Sequence, residues 1–477
     1  MNRIFVFLIA SLAISPIHGK IDKTAFLPED IITKDVAILG GGASGTYAAV
    51  RLREDFNASI IVIEPKNRLG GHVDTYTIPD TNTTIEYGVQ SYMRYGPSEA
   101  FFKRMGVGIG GPFSSLRSTN IIVDSTNGKL LSDYVPPTTN ETNQAIEIWA
   151  KLIEKYENHF NPGYWDFFDP KSIPEELLMP FGEFATKYGI VAATPRIASF
   201  SGIGVGGLKN VLTLYVVMYF GTPVVRDLLA GRWFAPEGSN SLVYQRAYDL
   251  LKSDVLLESI VIEAERSNTG VTLQVESSSG RRQLIEAKRL LVSAQPSLSN
   301  LASLGLDTKE EAVFSTWLPT WSFVGVAKLP CVPENASLSF LPPAVAPKNY
   351  LAVRDNPWTL SFSSTRLGHF RVSFGTNYTI TMSQAKEKIQ TEWQRILDAG
   401  TLTSTGECNI EWKALGNHNS VEWHQSVEDL KNGFVQKLYG LQGYRGTWYT
   451  GSLWCGAYSG NVWAVTDTVL PKLLKSF

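Results

Sequence analysis

The sequence is poor in cysteine, with three in 477 residues: Cys331, Cys408 and Cys455. Three thiols allow at most one internal disulfide and leave one over, so stability must come from an apolar core. They are also too few and too scattered for a zinc site, and the six histidines contain no His-Glu-x-x-His spacing. No metal is expected. An excess of one charge is missing too: 43 basic against 45 acidic side chains leave −2. That near balance argues against non-specific attraction to nucleic acid or an anionic membrane. No apolar run reaches the roughly 20 residues of a membrane span. There is no Gly-x-Ser-x-Gly elbow and no Gly-x-x-x-x-Gly-Lys loop, so hydrolase and nucleotide-triphosphatase readings lose their usual support. What is abundant is apolar material, 44% of residues with 11% aromatic. It can fill the two or three lobes expected at roughly 100–200 residues each.

The first 19 residues read as a secretory signal. Arg3 supplies a positive start, Ile4 to Ile14 are apolar apart from Ser11, and Ser15-Pro16-Ile17-His18-Gly19 follow. Five glycosylation sequons, at Asn57, Asn82, Asn140, Asn335 and Asn377, fit a chain that enters the secretory lumen or leaves the cell.

The strongest pattern comes just after this leader. Asp35 to Leu39 is a short apolar run suited to a strand buried on both faces. Gly40, Gly42 and Gly45 then occupy the first, third and sixth positions of a turn, and Thr46 to Asp55 read as a helix. A second apolar strand, Ile60 to Ile63, ends in Glu64, 24 positions beyond Gly40. Strand, glycines, helix, strand and acid in that order spell a dinucleotide-binding unit. Gly40 permits the tight turn, Gly42 lets a diphosphate reach the backbone, and Gly45 lets helix and strand approach. Helix-start amides, around Ala43 and Ser44, face the phosphates, and Glu64 takes ribose hydroxyls, which disfavours a 2′-phosphate. Arg68, Gly70, Gly71 and His72 then put a cation and more bare backbone close by, as an elongated flavin dinucleotide requires. Gly88, Val89 and Gln90 offer another turn where backbone can pass a flat ring.

With these residues the sequence resembles the FAD-dependent amine-oxidase-like superfamily, and within it the secreted fungal oxidoreductases of the beta-cyclopiazonate dehydrogenase group. The resemblance rests on Gly40–Ala49, Arg68-Leu-Gly-Gly-His72 and Glu86-Tyr-Gly-Val89. Gly433-Phe, Lys437-Leu-Tyr439, Leu441-Gln-Gly443 and Thr447-Trp-Tyr-Thr-Gly451 carry it near the C-terminus. It implies an α/β fold with a Rossmann-like FAD-binding domain assembled from 34–110, 233–299 and 433–477, and an α+β substrate domain from 111–232 and 300–432. It places Val261 at the adenine end. Gly451, Ser452, Gly460, Asn461 and Val462 would form the last flavin contact, where a helix start favours negative charge on the flavin.

Between these segments, Ala145 to Phe160 and Leu208 to Tyr219 read as helices, and Ser322 to Ala327 and Phe370 to Phe374 as strands. Trp317, Trp321, Trp358, Trp412 and Trp423 supply core, with some left to wall an apolar pocket. The cofactor carries the hard chemistry, so no acid–base motif is obligatory. His72, Gln90 and His424 are the candidate catalytic side chains. Many amine oxidases of the superfamily place a lysine near the flavin, but Lys328 comes too late in its strand to match. Three readings remain: an oxidoreductase taking a hydride from a small apolar or alkaloid-like metabolite, with dioxygen a possible acceptor; a flavin-dependent isomerase of an unsaturated lipid; and a non-catalytic FAD-binding protein.

Overall fold

The structure is a computed structural model and describes residues 21–112, 118–402 and 407–477; the expected leader lies outside them. Strand β1 (Ile31–Leu39) leads through the glycine turn into helix α1 (Ala43–Glu54), and β2 (Ile60–Ile63) returns parallel to β1 with Val36 opposite Ile60. The unbroken apolar runs have a reason: both faces of these strands are covered. Val36, Ile38, Ile60 and Val62 pack with Tyr47 and Val50 of α1 and with Trp463 and Val469 of the C-terminal helix Ser459–Leu474. Ala37, Leu39, Ile61 and Ile63 join the opposite core, with Leu273, Ile285 and Leu290.

The sheet built on this unit has seven strands in the order Val255–Leu256, β2, β1, Arg282–Val292, Gly270–Ser277, Ser259–Ser267, with Thr447–Tyr449 on a side branch. The long strand Arg282–Val292 changes partner along its length. Residues 282–287 pair antiparallel with Gly270–Ser277, and residues 290–292 pair parallel with Thr447–Tyr449. The alternating run Leu256–Ala264 is divided between two strands, Val255–Leu256 and Ser259–Ser267. The chain turns at Glu258, with φ of 50°, where the Glu258 and Ser259 amides donate to the carbonyl oxygens of Lys66 and Glu64.

A second seven-stranded sheet runs Glu411–Asn417, Leu318–Lys328, Phe370–Thr376, Trp358–Ser364, Ala336–Leu341, Thr119–Asp124, with Ser420–Glu422 beside the start of Leu318–Lys328. It is antiparallel except for its last pair, and it alternates as a sheet with two unlike faces should. Leu360, Phe362, Val372 and Phe374 pack with Ala385, Ile389, Trp393 and Ile396 of the helix Met382–Asp398, which a Thr381–Gln384 capping box starts. Ser361, Ser363 and Ser373 line a cavity instead. Cys331 and Cys408 are joined in a disulfide across 77 residues of this region, and Cys455 is free and buried.

Two helical expectations shift. The first helix begins at Thr139, set by the Thr138–Glu141 capping box, and Glu154–Phe160 is a tighter turn followed by one short helical turn. Leu208–Tyr219 is divided into Leu208–Asn210 and Thr213–Tyr219, because the Val211 carbonyl oxygen leaves the helical ladder to accept from the Phe181 amide at 2.7 Å. Among the described residues no helix is long and apolar enough to cross a membrane.

Candidate flavin and substrate site

The glycine turn owes its shape to close backbone approaches. A Cβ on Gly45 would lie 2.0 Å from the Gly40 carbonyl oxygen, so any larger residue would force α1 away from β1. Gly71 has φ of 58°, and a Cβ there would come 3.0 Å from the Gly42 Cα, so the two glycine segments face each other with bare backbone. Gly42 caps α1 without any side-chain hydrogen bond, leaving the amides at Ala43 and Ser44 for an external acceptor. Glu64 is 5% exposed, and its two oxygens accept from the Gly41 and Lys66 amides at 2.6 and 2.8 Å. Each carboxylate oxygen retains a lone pair, so the acid is aimed and still able to accept hydroxyl donors. Val261 lies two residues beyond Ser259, 8% exposed and paired with Val275.

The closing segment arrives at the same place. Trp463 Nε1 donates to the Ala43 carbonyl oxygen at 2.9 Å, and a Cβ on Gly451 would lie 3.5 Å from Ser44 Oγ. Gly460 packs against the Tyr95 carbonyl oxygen, and Val462 is buried in the core under α1. Asn461 is 3% exposed; its Nδ2 donates to Asn161 Oδ1 at 2.6 Å, and its own Oδ1 has no partner. Facing glycines, uncapped α1 amides, an oriented Glu64 and an orphaned oxygen at a helix start together fit a flavin dinucleotide.

Arg68 is committed elsewhere. Its guanidinium pairs with Asp74 and reaches the Leu69 and Gly71 carbonyl oxygens. Gly70 packs on the Tyr244 ring, Gly88 fits under the His72 carbonyl oxygen, and the Val89 amide donates to that same oxygen at 3.2 Å. Gln90 is exposed.

Beside this channel is a cavity of about 880 Å³, lined by His72, Gln295 and Ser452 from the first sheet's segments and by Tyr215, Tyr219, Trp321, His418 and His424 from across the cleft. The His72 ring stacks on His418, 4.4 Å between centroids and 13° between planes, and His418 Nε2 is 2.7 Å from Asp74 Oδ2. His72 is exposed toward the cavity but closely walled by protein elsewhere. That enclosure, with the His418 ring beside it, pulls its pKa down to about 3, so it is neutral at physiological pH. His424 lies on the Tyr215 ring, its Nε2 3.3 Å from Glu422 Oε2 without hydrogen-bond alignment. Burial pushes the Tyr215 and Tyr219 phenols up, and both stay protonated.

Of the tryptophans, Trp321 lines the cavity, whereas Trp317 and Trp423 are core and Trp358 and Trp412 belong to the second sheet. Lys328 is exposed, opposite Glu411 at the end of its strand. Cys455 is buried, which raises its thiol pKa, and Sγ contacts the Gly456 carbonyl oxygen at 3.2 Å. His418 and Asp74 escaped the sequence reading. Asp74 follows the glycine pair in plain sight, but its partner lies 344 residues away, just past the strand Glu411–Asn417.

The profile of the NAD(P)-binding Rossmann-like domain matches residues 38–105. The FAD-dependent oxidoreductase oblC of Cochliobolus heterostrophus is 32% identical over 94% of this chain and 93% of its own length. Beta-cyclopiazonate dehydrogenase of Aspergillus flavus is 29% identical over 94% of each chain. Among solved structures, a CLA-producing fatty acid isomerase from P. acnes superposes with a TM-score of 0.71 at 16% identity, covering 92% of this chain and 98% of that one. Cyclohexylamine oxidase from Brevibacterium oxydans gives 0.58 at 16% identity, covering 93% of this chain and 99% of that one. These structural likenesses carry the fold, an amine-oxidase-like α/β architecture, and the sequence relatives carry the family. The chain belongs to the FAD-dependent oxidoreductases that include oblC and beta-cyclopiazonate dehydrogenase, and its cofactor is FAD.

Proposed function

We propose that the chain oxidises a small apolar or alkaloid-like metabolite in the cavity between the two sheets. The observation that carries this reading is the shared wall: His72 and Ser452, from the two glycine-rich segments, line the same cavity as Tyr215, Tyr219 and Trp321. When bound, FAD supplies the hydride acceptor. The chain's own residues bind and orient. The α1 amides at Ala43 and Ser44 hold diphosphate charge and Glu64 holds ribose hydroxyls, while the Gly451–Ser452 loop and the start of Ser459–Leu474 close over the other end. Aromatic side chains exclude water and hold an apolar body. Neutral His72, stacked on His418, places an uncharged imidazole beside the reacting region; with its pKa held near about 3 it is too weak a base to take up a proton and is suited to hydrogen bonding and shape.

The secretory lumen is the compartment we propose. The leader pattern supports it, as do a disulfide between Cys331 and Cys408 and the exposure of Asn57, Asn82, Asn140, Asn335 and Asn377. Expression in a eukaryotic host followed by glycan removal should lower the apparent mass; an unchanged mass with an intact N-terminus contradicts this assignment.

Anaerobic mixing with small apolar amines and alkaloids tests the reaction. Lasting loss of the visible flavin bands, restored by admitting air, is expected for an oxidoreductase that uses dioxygen. Product formed without bleaching favours an isomerase. Neither response across a broad panel favours a non-catalytic flavoprotein.

A further inference from the structure

Arg354 is a cation with no anion. It follows the turn Tyr350–Ala352 and lines both the cavity above and a second of about 880 Å³ along the serine face of the second sheet. A guanidinium presents a planar fork of N–H donors. Among the described residues this one donates only to the Ala198 carbonyl oxygen. The carboxylate next to it in sequence, Asp355, is held by Lys209 at 2.6 Å, and the acid of the cavity, Glu422, lies beside His424. The contrast with Arg266 is direct: that buried guanidinium is matched by Glu310 at 2.7 Å. Arg354 is half-buried and keeps accessible surface toward the two cavities. Burial with no offsetting charge draws its pKa down to about 10, still leaving it cationic. Its backbone is pinned, because the Gly206 amide donates to the Arg354 carbonyl oxygen at 2.8 Å.

An enclosed charge without a partner is costly, and a planar fork turned to a cavity is the recognition element for a carboxylate. We propose that Arg354 receives a carboxylate of the substrate where the two cavities meet, so that the enzyme acts on an apolar monoanion. This rests on reading the cavity beside His72 as the substrate site.

The test uses the flavin-loaded protein and two ligands of one shape, 4-phenylbutyrate and 4-phenylbutanamide, titrated by their perturbation of the flavin spectrum. The wild type should bind the carboxylate about 10- to 100-fold more tightly than the amide. That preference should fall below about threefold in Arg354→Met and persist in reduced form in Arg354→Lys, which keeps a point charge without the fork. Equal binding of both ligands by the wild type, or a preference that survives in Arg354→Met, overturns the proposal and leaves the cavity reading intact. Failure of both ligands to perturb the flavin overturns both readings. If Arg354→Met does not fold, the wild type still decides: its preference must fade as pH drops through the ligand's own carboxyl pKa, near ~4.5.

Discussion

The two seven-stranded sheets are built on opposite plans. The first is parallel around β1 and covered on both faces, and it gathers strands from both ends of the chain. The second is nearly all antiparallel, with one apolar face on the helix Met382–Asp398 and one serine-lined face turned to a cavity. A nucleotide of fixed shape needs backbone close approach, which only certain residues at certain spacings allow. A substrate wall needs side chains brought together from anywhere. The cofactor side is therefore written in local pattern and the substrate side in long-range contact.

The largest way to break the first plan is Gly45→Val. Its Cβ would fall 2.0 Å from the Gly40 carbonyl oxygen, and rigid backbone cannot step aside. The variant should lose bound FAD and most of its stability, measured as flavin per chain and thermal midpoint; full flavin occupancy contradicts the account. Next comes Glu310→Ala. Glu310 accepts from Arg266 of the first sheet at 2.7 Å, from Arg445 at 3.0 Å and from Tyr449 at 3.2 Å. Removing it strands a buried guanidinium, at a cost of about 3–5 kcal/mol in urea unfolding.

Breaking the second plan should spare the cofactor. Cys331→Ser with Cys408→Ser opens a closure spanning 77 residues, worth about 2–4 kcal/mol. The double variant should unfold earlier yet keep its flavin band, and loss of both together would show that the sheets are not separable. The smallest effect at neutral pH is that of His72, which emerges only on acidification. Its folded pKa of about 3 lies below the unfolded value, about 6.5. Between these values the unfolded chain binds the proton and the folded chain does not, so stability rises with pH across that window and is lost on acidification. His72→Asn should flatten the acid limb of urea midpoints from about pH 6.5 to 4; an unchanged limb contradicts the enclosure described for this ring.

The unit β1–α1–β2 and the C-terminal helix were legible because glycine spacing and apolar runs report local geometry. The breaks at Glu258 and at Val211 were not, since each is made by a hydrogen bond to a distant segment, Lys66 in one case and Phe181 in the other. The partnership of His72 with His418 is invisible in sequence for the same reason, as is the solitude of Arg354. His424 and Gln90 were named from sequence alone. The first lines the cavity, and the second is exposed and is not among the lining residues.

The central claim is that the turn at Gly42 and the loop at Gly451 hold one and the same FAD. Its most direct measurement is the flavin content of purified, reconstituted protein, compared between wild type, Gly42→Val and Gly451→Leu. Wild type should carry one flavin per chain, and each variant, substituted at opposite ends of the sequence, should lose it while staying folded by circular dichroism. A folded Gly451→Leu that keeps its full flavin complement, beside a Gly42→Val that has lost its own, would contradict the claim.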